Sequence, residues 1–142
     1  MISDKESYEH NRQTVKTSCG TCSSYNIIYL VTCSICNKPY IGRTTRQLKT
    51  RIGEHRRSFY KILQGQNYDL DSDEFALGAH LFHHGFRVKS DFSNIFKVSI
   101  LNRCSPKNLD VSEHRYIHLL NSLVPEGINL SNPFSIPILY KN

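Results

Sequence analysis

The sequence predicts a small α/β domain in which a three-stranded, mainly antiparallel sheet is flanked by helices. Three observations lead there. A β-branched and aromatic run, Ile27-Ile28-Tyr29-Leu30-Val31, is followed through a Cys-x-x-Cys turn by Pro39-Tyr40-Ile41-Gly42, which reads as a hairpin. The next stretch, about residues 45–64, sets Leu48, Ile52, His55, Phe59 and Ile62 at helical spacing. Strand-type alternation returns over about residues 92–101, and a second helical pattern runs over about 106–123.

A chain of 142 residues, 39% hydrophobic and 21% charged, is sized for one soluble domain with a modest core. No apolar run approaches the roughly 20 residues that a membrane span needs. The opening MISDKESYEHNRQ is polar and offers no secretory signal. An intracellular, specifically nuclear, protein without membrane attachment is the expectation. Formal charge is 18 − 12 = +6. Between residues 38 and 61 stand Lys38, Arg43, Arg46, Lys49, Arg51, Arg56, Arg57 and Lys61 against the lone acid Glu54. Such a block suits a polyanion, nucleic acid first, although a merely solvated helix face has the same composition.

Residues 1 to about 18 are polar and aperiodic, and a flexible lead-in is expected there. The expected division is a lead-in with a Cys-x-x-Cys turn over 1–24 and the folded domain over 25–142. The first strand is expected over about 26–32 and the second over 39–44. A polar loop over 65–73 precedes a short helix, about 74–83, bearing Phe75, Leu77, Leu81 and Phe82. Ser105-Pro106 is an N-cap and first-turn proline opening the last helix. The turn-rich segment after it, including Asn132-Pro133-Phe134, is expected to pack back across the sheet.

One residue of that last helix is out of place. Glu113 lies four after Leu109 and four before Ile117, on the apolar stripe. A carboxylate there is costly unless it is paired or holds a cation. An ordinary ion pair to Arg51 or a nearby lysine would equally satisfy it.

Tyr29, then Tyr40-Ile41-Gly42, then Arg51 and His55, then Glu113 and Asn129, stand in an order that resembles the GIY-YIG endonuclease family. The first motif departs by reading Ile27-Ile28-Tyr29, without its glycine. With Cys33-x-x-Cys36 inside the hairpin, Ala79-His80-Leu81 through His84-Gly85, and Gly127-Ile128-Asn129, the chain looks like the endonuclease domain of Penelope-like retroelements. The resemblance implies a GIY-YIG nuclease-like fold with a zinc-finger-like insertion and hydrolysis of DNA phosphodiesters. It implies nicking that leaves a 3′-hydroxyl able to prime target-site reverse transcription, with a reverse transcriptase domain in cis in a longer element.

The same resemblance assigns roles. Glu113 would hold a catalytic divalent cation, magnesium (Mg2+) or manganese. Arg51 would contact the scissile phosphate, its planar fork suiting phosphate oxygens. Tyr29 and Tyr40 would line the site, and one of them or His55 would handle the water proton, with the base left open. Asn129 would orient water or brace the site. Lys38, Arg43, Arg46, Lys49, Arg56 and Arg57 would track DNA phosphates.

Cys33, Cys36, His80 and His84 form the favoured ligand set for a structural zinc (Zn2+). His83 competes for the last place, and Cys19, Cys22, Cys33 and Cys36 make a rival four-cysteine set. Cys104 reads as a small buried residue. A zinc-stabilised nucleic-acid-binding module without cleavage, and a protein-interaction domain using its basic face, remain the competing functional classes.

Overall fold

The computed structural model describes residues 7–10, 12–18, 20–66 and 72–130. Its central feature is a three-stranded antiparallel sheet in the order β4-β3-β5. β3 (Ile27–Cys33) lies between β4 (Pro39–Thr44) and β5 (Phe96–Arg103). β3 is the middle strand because its run of Ile, Tyr, Leu and Val suits burial on both faces, and six of its seven residues are buried. Tyr29 pairs with Gly42 on one side and Ile100 on the other. A register shift at Ile28/Tyr29 leaves Leu101 of β5 as the extra residue of a bulge.

The pleat sorts side chains into two cores. Ile27, Tyr29, Val31 and Cys33 face α1 (Leu48–Leu63), α2 (Ala76–His83) and α3 (Asp91–Ile95), with Leu48, Ile52, Phe59, Leu77, Leu81 and Phe92 packed beneath. Ile28 and Leu30 face α4 (Leu109–Leu120), against Ile41, Leu109, Ile117 and Leu120. Each such fully buried aliphatic or aromatic side chain is worth about 1.5–3 kcal/mol. α1 and α2 pack closely at Gly78, where a Cβ would lie 2.9 Å from the Phe59 Cα.

Several elements differ from expectation. The polar stretch before residue 18 contains a hairpin, β1 (Ser7–His10) with β2 (Gln13–Lys16), paired antiparallel. Val15 is buried in the α4-side core, and the Tyr8 hydroxyl donates to the Asn37 carbonyl at 2.6 Å. These are tertiary anchors that local periodicity does not carry. The third strand starts at Phe96 rather than near Phe92, because residues 91–95 coil into α3 and bury Phe92. The long helices are shorter than their patterns, α1 beginning at Leu48 and α4 at Leu109. Each follows a turn, the second being a 3₁₀ turn over Pro106–Asn108.

Beyond α4 the chain returns along the outer edge of β4. The Ile128 amide donates to the Pro39 carbonyl at 2.9 Å, and Ile128 joins the α1-side core. The return expected across the sheet runs instead along its β4 edge over residues 122–130, while Asn132-Pro133-Phe134 lies outside the described residues. Among those residues no helix is long and apolar enough to cross a membrane.

Candidate active site and metal centre

The sheet and α1 place three of the candidate residues together. Tyr29 on β3 and His55 on α1 are both fully buried, and the Tyr29 hydroxyl lies 2.8 Å from His55 Nε2. Tyr40 closes the group, its ring centroid 5.4 Å from that of His55 and 6.5 Å from that of Tyr29. Gly42 explains itself here. A Cβ at this position would stand 2.2 Å from Tyr29 Cζ and 2.3 Å from its hydroxyl, so the phenol occupies the space a side chain would take. At the position where the family's first glycine is missing, Ile27 is fully buried in the core.

Burial sets the protonation states. It pushes the His55 imidazole down to about 3, with the Arg51 charge acting in the same direction and the main chain of Glu74 opposing. His55 is therefore neutral near pH 7. Its Nδ1 is buried beside the Glu74 main chain, close enough to feel it but outside hydrogen-bonding geometry. Burial also raises both phenols well above their usual range, and Arg51 pulls each back.

Arg51 lies one helical turn before His55 and is half-buried. Burial alone would lower its pKa, but the Tyr29 and Tyr40 phenols and the Glu54 carboxylate more than offset it, keeping it charged. Glu54 accepts from Arg51 Nη1 at 3.1 Å and from Arg46 Nη2 at 2.6 Å. Arg46 then holds its carboxyl below the ordinary range, burial opposing weakly. Arg43, Arg46 and Arg51 line one open cleft of about 380 Å³ with Thr44, Pro106 and Asp110. Of the other basic residues, Lys49 and Arg57 are exposed on α1 and Arg56 is half-buried. Lys38 sits elsewhere, at the Cys-x-x-Cys turn, where its carbonyl accepts from the Cys33 amide at 3.2 Å.

Glu113 projects from α4 towards the β4 edge, its side chain 12% exposed and its Oε1 3.8 Å from Arg43 Nε. Arg43 also pairs with Asp110. Burial pushes the Glu113 carboxyl up to about 7; Arg43 and Arg51 oppose this, and the Asp73 carboxylate adds to it. Arg43 and Arg51 only partly compensate this buried carboxylate, so its donor chemistry fits a divalent cation held by Glu113. Asn129 takes a different place. Its Oδ1 accepts from the Ile41 amide and its Nδ2 donates to the Ile41 carbonyl, both at 2.8 Å. Its amide clamps the strand that carries Tyr40.

The second cluster joins the β3–β4 turn to α2. Cys33, Cys36, His80 and His84 place one ligand atom each within 4.8 Å of all the others. The Cys33 Sγ to His84 Nε2 distance is 3.9 Å, Cys36 Sγ to His80 Nε2 is 3.4 Å, and the two Nε2 atoms are 3.1 Å apart. Tetrahedral zinc with two sulfur and two nitrogen ligands has edges of about 3.3–3.8 Å, so these four residues could bind zinc. Burial, then the neighbouring His84 and the Lys38 charge, hold His80 down at about 4, leaving it neutral as a ligand must be. His83 is not in the group, Cys22 is exposed, and Cys19 lies outside the described residues.

Three charged residues at the site were not singled out from the sequence. Glu54 could have been found, since it sits three after Arg51 on the same helix. Asp110, one turn before Glu113, had a similar signal. Asp73 had none, because only the tertiary structure brings its carboxylate near Tyr40 and Glu113 and under the Leu130 amide, 3.0 Å away.

No family model and no curated protein matches the chain. Among solved structures it is similar to a mutant of the catalytic domain of intron endonuclease I-TevI. That likeness has a TM-score of 0.50 and 22% sequence identity, covering 74% of this chain and 92% of the other. The α/β fold expected from the sequence, a three-stranded antiparallel sheet flanked by helices as in a GIY-YIG nuclease domain, is therefore the fold of this chain.

Proposed function

We propose that this chain is a metal-dependent DNA endonuclease that hydrolyses one phosphodiester per event, leaving a 5′-phosphate and a 3′-hydroxyl. The observation that carries the reading is the proximity of the Tyr29–His55 pair to Arg51 and the buried Glu113, whose charges both act on Tyr29 beside Gly42 of β4. The I-TevI domain that shares the fold is described as the catalytic domain of an endonuclease, which agrees with it.

In this reading the scissile phosphate sits in the arginine cleft, with the Arg51 guanidinium on its non-bridging oxygens. The attacking water lies at the tyrosines. The Tyr29 hydroxyl, fixed 2.8 Å from Nε2 of the neutral His55, accepts a hydrogen bond from the water and aims it at phosphorus; with its imidazole held down at about 3, His55 positions Tyr29 and the water proton leaves to solvent. Tyr40 packs against both rings and limits where the water can sit. A magnesium or manganese ion on Glu113 would supply Lewis acidity to the leaving 3′ oxygen. Asn129 braces β4, and with it Tyr40, rather than orienting water. Arg43 and Arg46 receive phosphates flanking the cut, and Lys49, Arg56 and Arg57 extend the track along α1. Binding is then salt-dependent and largely sequence-tolerant. Lys38 would touch DNA only if the duplex reaches the metal turn.

The finer assignment is to the Penelope-like retroelement type. The hairpin cysteines and the α2 histidines, which could bind zinc between those two elements, support it. It carries a reverse transcriptase domain in cis and a nuclear site of action. Residues 25–142 are the nuclease domain, and the preceding hairpin is an appendage to it.

The test is nicking of supercoiled plasmid with magnesium or manganese, wild type beside Glu113→Ala and Arg51→Ala. Chelator-sensitive nicking by wild type and a loss of at least about 100-fold in each variant is the expected result. Equal nicking by all three overturns the assignment. Binding without nicking under any metal leaves a nucleic-acid-binding module.

A further inference from the structure

The end of the sheet where β3 begins and β5 ends carries a second cleft, of about 520 Å³, that the proposed chemistry does not use. Its wall is the loop over residues 21–26 and its opposite side is Arg103 with Cys104. The loop is fixed by Ser24. The Ser24 Oγ accepts from the Thr21 amide at 3.1 Å and from Arg103 Nη2 at 3.2 Å, while the Ser24 carbonyl accepts from the Leu48 amide at 2.8 Å. On that rigid support Tyr25 is 63% exposed. Among the described residues it has neither a ring partner nor a hydrogen bond, and no carboxylate pairs with Arg103. An aromatic face held in water by a built loop, beside an uncompensated guanidinium and several hydroxyls, has the chemistry of a nucleotide seat. The ring stacks a base, Arg103 meets its phosphate, and the hydroxyls and the Asn26 amide line the base edge.

Its position relates it to the cut. Ile27 pairs with Thr44 on one side and Arg103 on the other, so these two lie in one row across the sheet. Strands are about 4.8 Å apart, which puts their Cα atoms about 10 Å from each other. Thr44 lines the arginine cleft of Arg43, Arg46 and Arg51. Leu48, which holds the Ser24 carbonyl, is three residues before Arg51 on α1. The two clefts are thus a nucleotide or two apart along a strand. Stacked duplex has no base free to enter such a seat.

We propose that the Tyr25–Arg103 cleft binds one unpaired DNA nucleotide next to the scissile phosphate, so that the preferred substrate is a duplex with a bulged or otherwise unstacked nucleotide. The inference rests on the endonuclease reading for its partner, and its test does not need cleavage. The full chain is titrated, with no divalent metal added beyond bound zinc, against two duplexes. One is intact and one carries a single bulged 2-aminopurine, and both affinity and fluorescence are read. The expected result is tighter binding of the bulged duplex by about 10-fold, the scale of one base stacked on an aromatic ring, with quenching of the 2-aminopurine. Tyr25→Ala is expected to bring the ratio near 1 and abolish quenching, and Tyr25→Trp to restore both. Arg103→Gln should lower the ratio part of the way. Equal wild-type affinity for the two duplexes, or a Tyr25→Ala ratio like wild type, overturns the seat. Plasmid nicking, measured separately, decides the nuclease reading. A chain that nicks without a bulge preference loses only the seat, and one that prefers the bulge without nicking loses only the nuclease.

Discussion

Glu113 is a residue the fold tolerates at a cost. Its carboxyl is raised to about 7 by burial, against about 4.5 in an unfolded chain. Below pH 4.5 both states are protonated and the residue costs nothing. As pH rises from 4.5 to 7 the unfolded state ionises first, so the native state loses stability, and above 7 the full penalty of roughly 1–3 kcal/mol applies. Glu113→Gln should therefore raise the melting temperature at pH 8 without metal and leave it unchanged near pH 4.5, while abolishing nicking. A variant less stable at pH 8 would refute the buried-charge account. His55 acts in the opposite direction: held near 3 in the native state, it costs stability as pH falls below about 6.5, where the unfolded imidazole takes up a proton. In the nicking assay, activity at limiting metal should rise with pH through about 7, and the midpoint should move lower as metal is added, because cation and proton compete for Glu113. A pH-independent rate at limiting metal would count against Glu113 as the ligand. Gly42→Ala tests the space beside Tyr29. The added methyl must displace the phenol, so nicking should fall at least about 100-fold with about 1–3 kcal/mol of destabilisation in denaturant titration.

At the scale of elements, α1 matters most, because it supplies Arg51 and His55 to one side of the sheet and packs against α2 on another. Its stripe of Leu48, Ile52, His55, Phe59 and Ile62 was legible in the sequence, and all five are buried. The start of α1 was less legible. Residues 45–47 form a turn in which Thr44 Oγ1 accepts from the Arg46 amide, and the first helical amides bond to the carbonyls of Ser24 and Cys22 in a distant loop. The N-terminal limit of the third strand was misplaced for a similar reason, since alternation cannot tell a buried Phe92 on a short helix from one on a strand. The α1–α2 contact gives the prediction at this scale. Gly78→Ala would press its methyl against the Phe59 backbone, which cannot rotate away. The helices should separate slightly, costing about 1–3 kcal/mol and weakening zinc binding through His80. Unchanged stability and zinc content would contradict the packing.

For the whole molecule, the four candidate zinc ligands tie the β3–β4 turn to α2, and the N-terminal hairpin binds the same turn through Tyr8 and Asn37. Adding chelator to the zinc-loaded chain should lower the melting temperature by on the order of 10 °C, with faster hydrogen exchange at residues 33–38 and 76–84 and little change in α4. Zinc stoichiometry by mass spectrometry should be lost in His84→Ala and retained in His83→Ala and Cys22→Ser. Retention in His84→Ala would exclude this ligand set. The sequence by itself determined the central hairpin, both long helices, the order of the candidate catalytic residues and the presence of a Cys/His cluster. Each of those is written in local spacing and side-chain chemistry. Only the tertiary structure decided which histidine faces the cysteines, that Asn129 clamps Ile41, that Asp73 and Asp110 border the site, and that the first polar residues form a hairpin. Those depend on which surfaces the two cores bring together, and neither hydrophobic period nor motif order encodes that meeting.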